Sequence, residues 1–132
     1  MPKVPRHQQM LLSLYQAVVG KAWDDVRSLL SDDFVEHNPR VPHTLGQTSG
    51  REAFVQYFSA GDTPLDNAQV DIKRFITDGE YASVHYKIVN RQYPRGAAVV
   101  DIFRVEGNQF AEHWDVIQEI PEHSANPHGM IT

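Results

Sequence analysis

The spacing of apolar and polar residues divides the chain into an N-terminal helical part and a C-terminal part made of strands. Residues 8–19 place apolar side chains at helical spacing, and residues 23–30 repeat the pattern over a shorter length. A Ser-Gly-Arg-Glu sequence at 49–52 is a capping box that begins a third helix. From residue 67 the period changes to the two residues of a β-strand. This order predicts an α+β domain with the N-terminal helices over the concave face of a curved antiparallel sheet.

Turn sequences indicate where the predicted strands are paired. Asp78-Gly79 separates strand-like residues 69–77 from residues 80–90, and this dipeptide favours a tight hairpin. Gly107-Asn108 lies at the centre of residues 99–118 and predicts a second long hairpin. The sheet is therefore expected to contain four long strands.

Two irregular segments complete the predicted layout. A short strand beginning at Phe34 must run into a loop, because Pro39 keeps Asn38 out of the helical region. Residues 121–132 contain two prolines and predict an extended C-terminal arm. We therefore expect one domain over residues 1–132, with 121–132 as its arm.

The second hairpin carries polar residues that a purely structural strand would not need, since an unpaired buried carboxylate is costly. With a two-residue turn at Gly107-Asn108, Asp101 is predicted to face Trp114 across the hairpin. One face then carries the aromatic residues and two isolated carboxylates, namely Val99, Asp101, Phe103, Val105, Phe110, Glu112, Trp114 and Val116. That set is typical of an apolar pocket with a few polar groups. A single β-bulge would exchange the later residues between faces, so His113 and Asp115 stay candidates for the pocket.

Three further polar residues are candidates for a site. His37 and Asn38 lie at the mouth of the loop after the first strand, where functional groups are often presented. The alternative is that Asn38 caps the turn and His37 is solvated. His85 interrupts the second long strand, and it equally fits an exposed face of the sheet.

Composition excludes several classes of function. The 132 residues carry a net charge of −5 with scattered Lys and Arg, which argues against nucleic acid or an anionic membrane as a partner. The chain has no cysteine, so thiolate metal sites and a Cys nucleophile are excluded. Its seven histidines lack close ligand spacing, and neither a G-x-S-x-G nor a phosphate-binding glycine loop occurs. We expect no metal and no cofactor, and the absence of an apolar leader favours the cytoplasm.

Three segments resemble sequences of the NTF2-like superfamily and, within it, the SnoaL-like group of polyketide cyclases. They are residues 34–42 (FVEHNPRVP), 100–104 (VDIFR) and 112–118 (EHWDVIQ). The resemblance implies a cone-shaped α+β fold with a pocket between helices and sheet. It also implies aldol-type ring closure without cofactor or metal, an acidic side chain as acid/base, and frequent dimers. We accordingly expect a small hydrophobic carbonyl ligand and a homodimer formed through the outer sheet face.

The resemblance leaves Asp101 and Asp115 as alternatives for the acidic residue, and the predicted register favours Asp101. Residues 101–104 also resemble the ketosteroid isomerase strand that carries a protonated, oxyanion-binding aspartate. His37 falls near the position of the isomerase base, which is an aspartate in that family.

These patterns lead to one mechanistic hypothesis, one alternative acid/base pair and two competing functions. Asp101 is expected to stay protonated and to donate a hydrogen bond, with His37 as the base. Asp115 with His113 is the alternative acid/base pair. The residues expected to bind substrate are Asn38, His85, Trp114, His113 and Glu112. The competing functions are a non-catalytic small-molecule binder and a dimerising module with a vestigial pocket.

Overall fold

A computed structural model of the protein describes residues 4–132. The elements in chain order are α1 (Arg6–Val19), α2 (Trp23–Leu29), β1 (Leu30–Glu36), α3 (Gly50–Ser59), β2 (Gln69–Thr77), β3 (Tyr81–Val89), β4 (Ala97–Glu106) and β5 (Gln109–Glu119). Three helices and one open sheet confirm the predicted α+β class. Residues 121–132 form no helix or strand. No helix in the described part of the chain has both the length and the apolar character that crossing a membrane requires.

The sheet has the order β1-β5-β4-β3-β2. Strands β2 to β5 are antiparallel neighbours, but β1 runs parallel to β5 at one edge, so the sheet is mixed rather than purely antiparallel. No tight turn joins β1 to β5, and the hairpin signals in the sequence therefore do not determine whether β1 runs parallel or antiparallel to β5. The parallel pairing brings the loop after β1 next to the middle of β5, which positions the site.

One hydrophobic core lies between the helices and one face of the sheet. Helix α1 contributes Leu11 and Leu14, which are almost inaccessible to solvent. Strand β3 contributes Val84 and Ile88 from the same side of its pleat, and both are fully buried. The core therefore follows the two periodicities that the sequence displays.

Helix α3 begins where the chain passes very close to β1. Ser49 caps the helix by accepting a hydrogen bond from the Glu52 N–H at 3.1 Å, as the capping box predicts. A Cβ added to Gly50 would lie 2.0 Å from the carbonyl oxygen of Phe34. Glycine is therefore required here by the approach of two backbones.

Replacing Gly50 with alanine is expected to destabilise the protein by about 1–3 kcal/mol, because neither backbone can yield without moving α3 or β1. Gly79 is the matched control, since a Cβ at that turn position would contact nothing within 4 Å. Chemical denaturation of both variants measures the difference. Equal stabilities for Gly50→Ala and Gly79→Ala would contradict the proposed backbone contact.

A β-bulge at Ala111 changes the register of the second hairpin. Glu106 faces Gln109 and Val105 faces Phe110, as the two-residue turn predicts. The next pair is Arg104 with Glu112, so Ala111 has no partner on β4. From this point onwards the predicted register is wrong.

The bulge exchanges the two faces of β5. Asp101 faces Asp115 in the structure rather than Trp114. His113 and Asp115 therefore turn towards the helices, whereas Glu112 and Trp114 turn to the outer face, contrary to the predicted placement. The open alternative in the sequence, a bulge that brings His113 and Asp115 inward, is the arrangement found.

Candidate functional site

A cavity lies between α1, α3 and the inner face of the sheet. Its interior has a free volume of about 40 Å³, and the whole depression including its open mouth encloses about 520 Å³. The apolar lining residues are Leu14, Val18, Phe54, Phe58, Pro64, Leu65, Ile88, Val99, Phe103 and Ile117. The polar lining residues are Tyr15, Asn38, Tyr86, Asp101, His113 and Asp115. An apolar chamber with a small polar cluster has the character of a small-molecule site.

Asp101 lies at the centre of the polar cluster and accepts hydrogen bonds at both oxygens. Tyr15 donates its hydroxyl to Oδ2, and Tyr86 donates to the same oxygen at 2.8 Å. His113 Nε2 lies 2.9 Å from Oδ1. Three protein groups therefore occupy both oxygens of this carboxyl group, and neither oxygen is left for a ligand. The expectation of a protonated Asp101 that donates to a ligand is therefore not supported by its surroundings.

His113 is held between two buried carboxylates. Its Nε2 faces Asp101, and its Nδ1 lies 2.6 Å from Glu36 Oε1. The Glu36 side chain is 2% exposed and the same oxygen also accepts the Asn38 backbone N–H at 2.8 Å. Glu36 thus connects the end of β1 to β5, and it fixes the ring of His113 in one orientation.

These contacts determine the charge of His113. Burial by itself lowers the pKa of its imidazole, but the hydrogen bonds to Asp101 and Glu36 outweigh burial and raise the pKa from 6.5 to about 10. Burial, reinforced by the Asp101 charge, raises the pKa of Tyr15 and Tyr86 well above 10. At neutral pH the cluster therefore contains an imidazolium and two neutral phenols, all of them donors.

The His113 imidazolium is expected to make stability depend on pH. Because its folded pKa of about 10 lies above the unfolded value of 6.5, its contribution is complete below pH 6.5 and is lost as the pH rises through about 10. NMR of the ring should show imidazolium chemical shifts up to about pH 9, and the free energy of unfolding should fall above pH 6.5. A change to neutral-imidazole shifts below pH 8 would contradict the hydrogen bonds of His113 to Asp101 and Glu36.

Asp115 differs from Asp101 because neither of its oxygens accepts a hydrogen bond from the described residues. Its side chain is 10% exposed, and Oδ1 is buried with no hydrogen-bond partner among residues 4–132. The Arg40 guanidinium approaches the other oxygen, with 4.0 Å between its Nη1 and Oδ2. Burial is the largest effect and raises the pKa of Asp115; the positive charge of His113 opposes this rise, and the negative charges of Asp101 and Glu36 add to it. A carboxylate of this kind can accept or return a proton at the cavity wall.

Asn38 supplies a second polar group to the cavity. Its Oδ1 accepts the backbone N–H of Arg40 at 3.0 Å, which fixes the orientation of the side-chain amide. The Nδ2 group has no acceptor within the described part of the chain, and Asn38 is one of the residues that line the cavity. Asn38 can therefore donate a hydrogen bond to a bound molecule.

His37, Glu112 and Trp114 lie together on the outer face of the sheet and not in the cavity. His37 Nε2 lies 2.6 Å from Glu112 Oε2, and its ring stacks on Trp114 with 5.0 Å between centroids. The prediction that all three line the pocket is wrong. The bulge turns Glu112 and Trp114 outward, and His37 lies beside them because β1 pairs with β5. His37 is therefore not within reach of Asp101 as a base.

His85 is also on the outer face. It alternates with Val84 and Tyr86 along β3, whose side chains point inward. Its Nδ1 contacts Arg74 on the neighbouring strand. The predicted role in orienting a substrate in the cavity does not fit this position.

Three residues of the cluster were not recognised as candidates in the sequence. Tyr15 and Tyr86 occupy core positions of α1 and β3, where an aromatic residue is ordinarily interpreted as packing. Glu36 precedes His37 and points inward where His37 points outward. The alternation of side chains along β1 could have indicated that Glu36 points inward, since Glu36 shares a face with the apolar residue Phe34.

The outer face also exposes several apolar side chains. Val116 is 69% exposed and Ile76 is 66% exposed, and Ile102 and Tyr81 are each 38% exposed. These residues flank Trp114 on the strands in the middle of the sheet and on β2. The homodimer through this face stays a prediction.

Within residues 4–132, no group of three or more His, Asp or Glu side chains is arranged to hold a metal ion.

Comparison with known proteins identifies a family and a fold. The family model described as the SnoaL-like domain matches residues 11–113. Comparison with curated protein sequences finds no significant match.

Solved structures show the same architecture at low sequence identity. IdmH from Streptomyces antibioticus, a proposed polyketide cyclase, is 15% identical with a TM-score of 0.65, over 84% of this chain and 91% of IdmH. A proposed ketosteroid isomerase from Kribbella flavida is 18% identical with a TM-score of 0.69, over 94% of this chain and 84% of its own. An epoxide hydrolase from M. tuberculosis is 16% identical with a TM-score of 0.64, over 89% and 86%. At these identities the likeness concerns the fold, which hosts different reactions.

Proposed function

The chain belongs to the SnoaL-like domain family, and we propose that it is an enzyme that transfers a proton on a hydrophobic carbonyl compound without a cofactor. The reaction is of the aldol-cyclisation or double-bond-isomerisation type. The single observation that carries the proposal is Asp115 Oδ1, a buried carboxylate oxygen without a partner among the described residues, at the wall of an apolar cavity. The cyclase and isomerase assignments of structural relatives support the same class of chemistry.

The proposed reaction begins at the carbon next to a carbonyl group. Asp115 takes the proton from this carbon, and the electron pair moves into the carbonyl, which becomes an enolate. The Asn38 amide donates a hydrogen bond to the enolate oxygen and stabilises its charge. In cyclisation the enolate carbon bonds to a second carbonyl carbon and Asp115 returns the proton to the new alkoxide. In isomerisation the proton returns to a different carbon.

The buried cluster has a positioning role in this scheme. The Asp101–His113 contact and the two tyrosines fix β5 against α1 and β3, and Asp115 is two residues from His113 on the same face. The Glu36 carboxylate holds the backbone of Asn38 and the ring of His113 at once. The cluster therefore sets the relative position of the proposed base and the proposed donor.

Proton exchange tests the proposal without knowledge of the natural product. The protein is incubated in D₂O with a set of enolisable hydrophobic ketones, and loss of the α-proton signal is followed by ¹H NMR. We expect catalysed exchange of at least one ketone, at a rate proportional to protein concentration and lost on heat denaturation. The absence of exchange with any ketone that binds saturably would contradict the enzymatic proposal.

The alternative is a protein that binds a small molecule and does not react with it. It is favoured by one observation, namely that most polar groups of the cavity hydrogen bond to one another. Saturable binding combined with an absence of exchange would favour this alternative.

A further inference from the structure

The donors in the cavity wall are nearly all committed to buried carboxylates. Both hydroxyls, of Tyr15 and Tyr86, point to Asp101 Oδ2. Both ring nitrogens of His113 face carboxylate oxygens, of Asp101 and Glu36. A ligand entering the cavity therefore does not meet a phenol or an imidazolium that is able to donate to it.

Two polar groups are left for a ligand, and they have opposite hydrogen-bonding character. Asp115 Oδ1 can only accept while the group is ionised, and no residue in the described chain occupies it. Asn38 Nδ2 can only donate, since an amide NH₂ group does not accept, and the hydrogen bond from the Arg40 backbone N–H to Oδ1 fixes the orientation of the amide. A carbonyl group beside a proton-bearing atom satisfies both at once.

The charge of the cluster adds a second constraint. The buried carboxyl groups of Asp101 and Glu36 contact the His113 imidazolium, and the carboxyl group of Asp115 lies two residues from it on the same face of β5, in a poorly solvated space. The Arg40 guanidinium, 4.0 Å from Asp115, lies at the rim with a side chain 37% exposed, so solvent screens it. A carboxylate on the ligand would meet like charges at short range with only one amide to bind it.

We propose that the cavity selects uncharged carbonyl compounds and excludes the corresponding carboxylates. The carbonyl oxygen of the ligand accepts from Asn38, and an N–H, O–H or acidic C–H next to it faces Asp115. This inference rests on the proposed function for the choice of cavity and of Asp115, and it concerns binding rather than turnover.

Phenylacetamide and phenylacetate are matched probes, because they have nearly the same shape and differ in charge. Dissociation constants are measured by NMR titration of the whole protein at pH 7. We expect phenylacetamide to bind at least tenfold more tightly than phenylacetate. In Asp115→Asn the ratio should fall below threefold, because the substitution removes one of the like charges.

Asp71→Asn is the matched control, since Asp71 is an exposed carboxylate whose partner is Lys73. This variant should keep the tenfold ratio, and circular dichroism verifies that both variants are folded. Phenylacetate binding as tightly as phenylacetamide, or a ratio unchanged in Asp115→Asn, would overturn the inference. Binding of neither probe at millimolar concentration would also overturn it. Because phenylacetamide is not turned over, selective binding without ketone exchange would separate this inference from the proposed function.

Discussion

Asp115→Asn is expected to slow ketone α-proton exchange by about 10²–10⁴-fold while the protein stays folded. An amide has the shape of the carboxyl group but cannot take a proton from carbon at neutral pH. The loss should fall on the rate constant of exchange, since Asn38 and the apolar wall still bind the ketone. Exchange is measured by ¹H NMR in D₂O at saturating ketone.

The pH profile of the same reaction provides a second measurement. Because burial raises the pKa of Asp115 above the ordinary 3.8, the exchange rate should rise with pH through a midpoint above 3.8. Asp71→Asn serves as the control and should exchange at the rate of the unsubstituted protein. Undiminished exchange in Asp115→Asn would exclude Asp115 as the base.

Asp101→Ala is expected to reduce the free energy of unfolding by about 3–5 kcal/mol, the usual effect of removing one partner of a buried ion pair. The substitution leaves the hydroxyls of Tyr15 and Tyr86 and the Nε2 of His113 without their acceptor. It also leaves the imidazolium with Glu36 as its single counter-charge. Urea denaturation at pH 7 measures the change.

Two controls separate the buried network from a general effect of charge removal. Asp71→Ala removes an exposed carboxylate and should change stability by less than about 1 kcal/mol. Tyr86→Phe removes one of the three donors to Asp101 and should cost about 1 kcal/mol. A loss below 1 kcal/mol in Asp101→Ala would show that the network contributes little to stability.

The elements of the fold were predictable because their signals are local. The helical spacing of α1, the capping box at Ser49 and the turn at Gly107-Asn108 each depend on a few adjacent residues. The parallel pairing of β1 with β5 joins segments about 77 residues apart and has no local signal. The sequence pattern of β1 therefore does not predict that β5 is its neighbour in the sheet.

The candidate site was predictable only in part, because the unpaired residue Ala111 determines which side chains of β5 face the cavity. Asp101, Asn38, His113 and Asp115 lie together at the cavity, whereas the predicted companions His37, His85, Glu112 and Trp114 lie on the outer face. The bulge residue is an alanine, which carries none of the backbone preferences that announce a bulge. The role of Tyr15 also has no local signal, since Asp101, the partner of its hydroxyl group, lies 86 positions away in the sequence.

The unpaired alanine in β5 has a consequence for how such domains diverge. Loss of the codon for Ala111 would leave every other side chain chemically unchanged, yet it would bring Glu112 and Trp114 towards the helices and send His113 and Asp115 to the opposite surface. The inner face of β5 would then carry a glutamate and a tryptophan in place of a histidine and an aspartate after a single genetic event. Alignments of homologous domains that place no gap at this position therefore risk equating residues that never occupy the same side of the sheet.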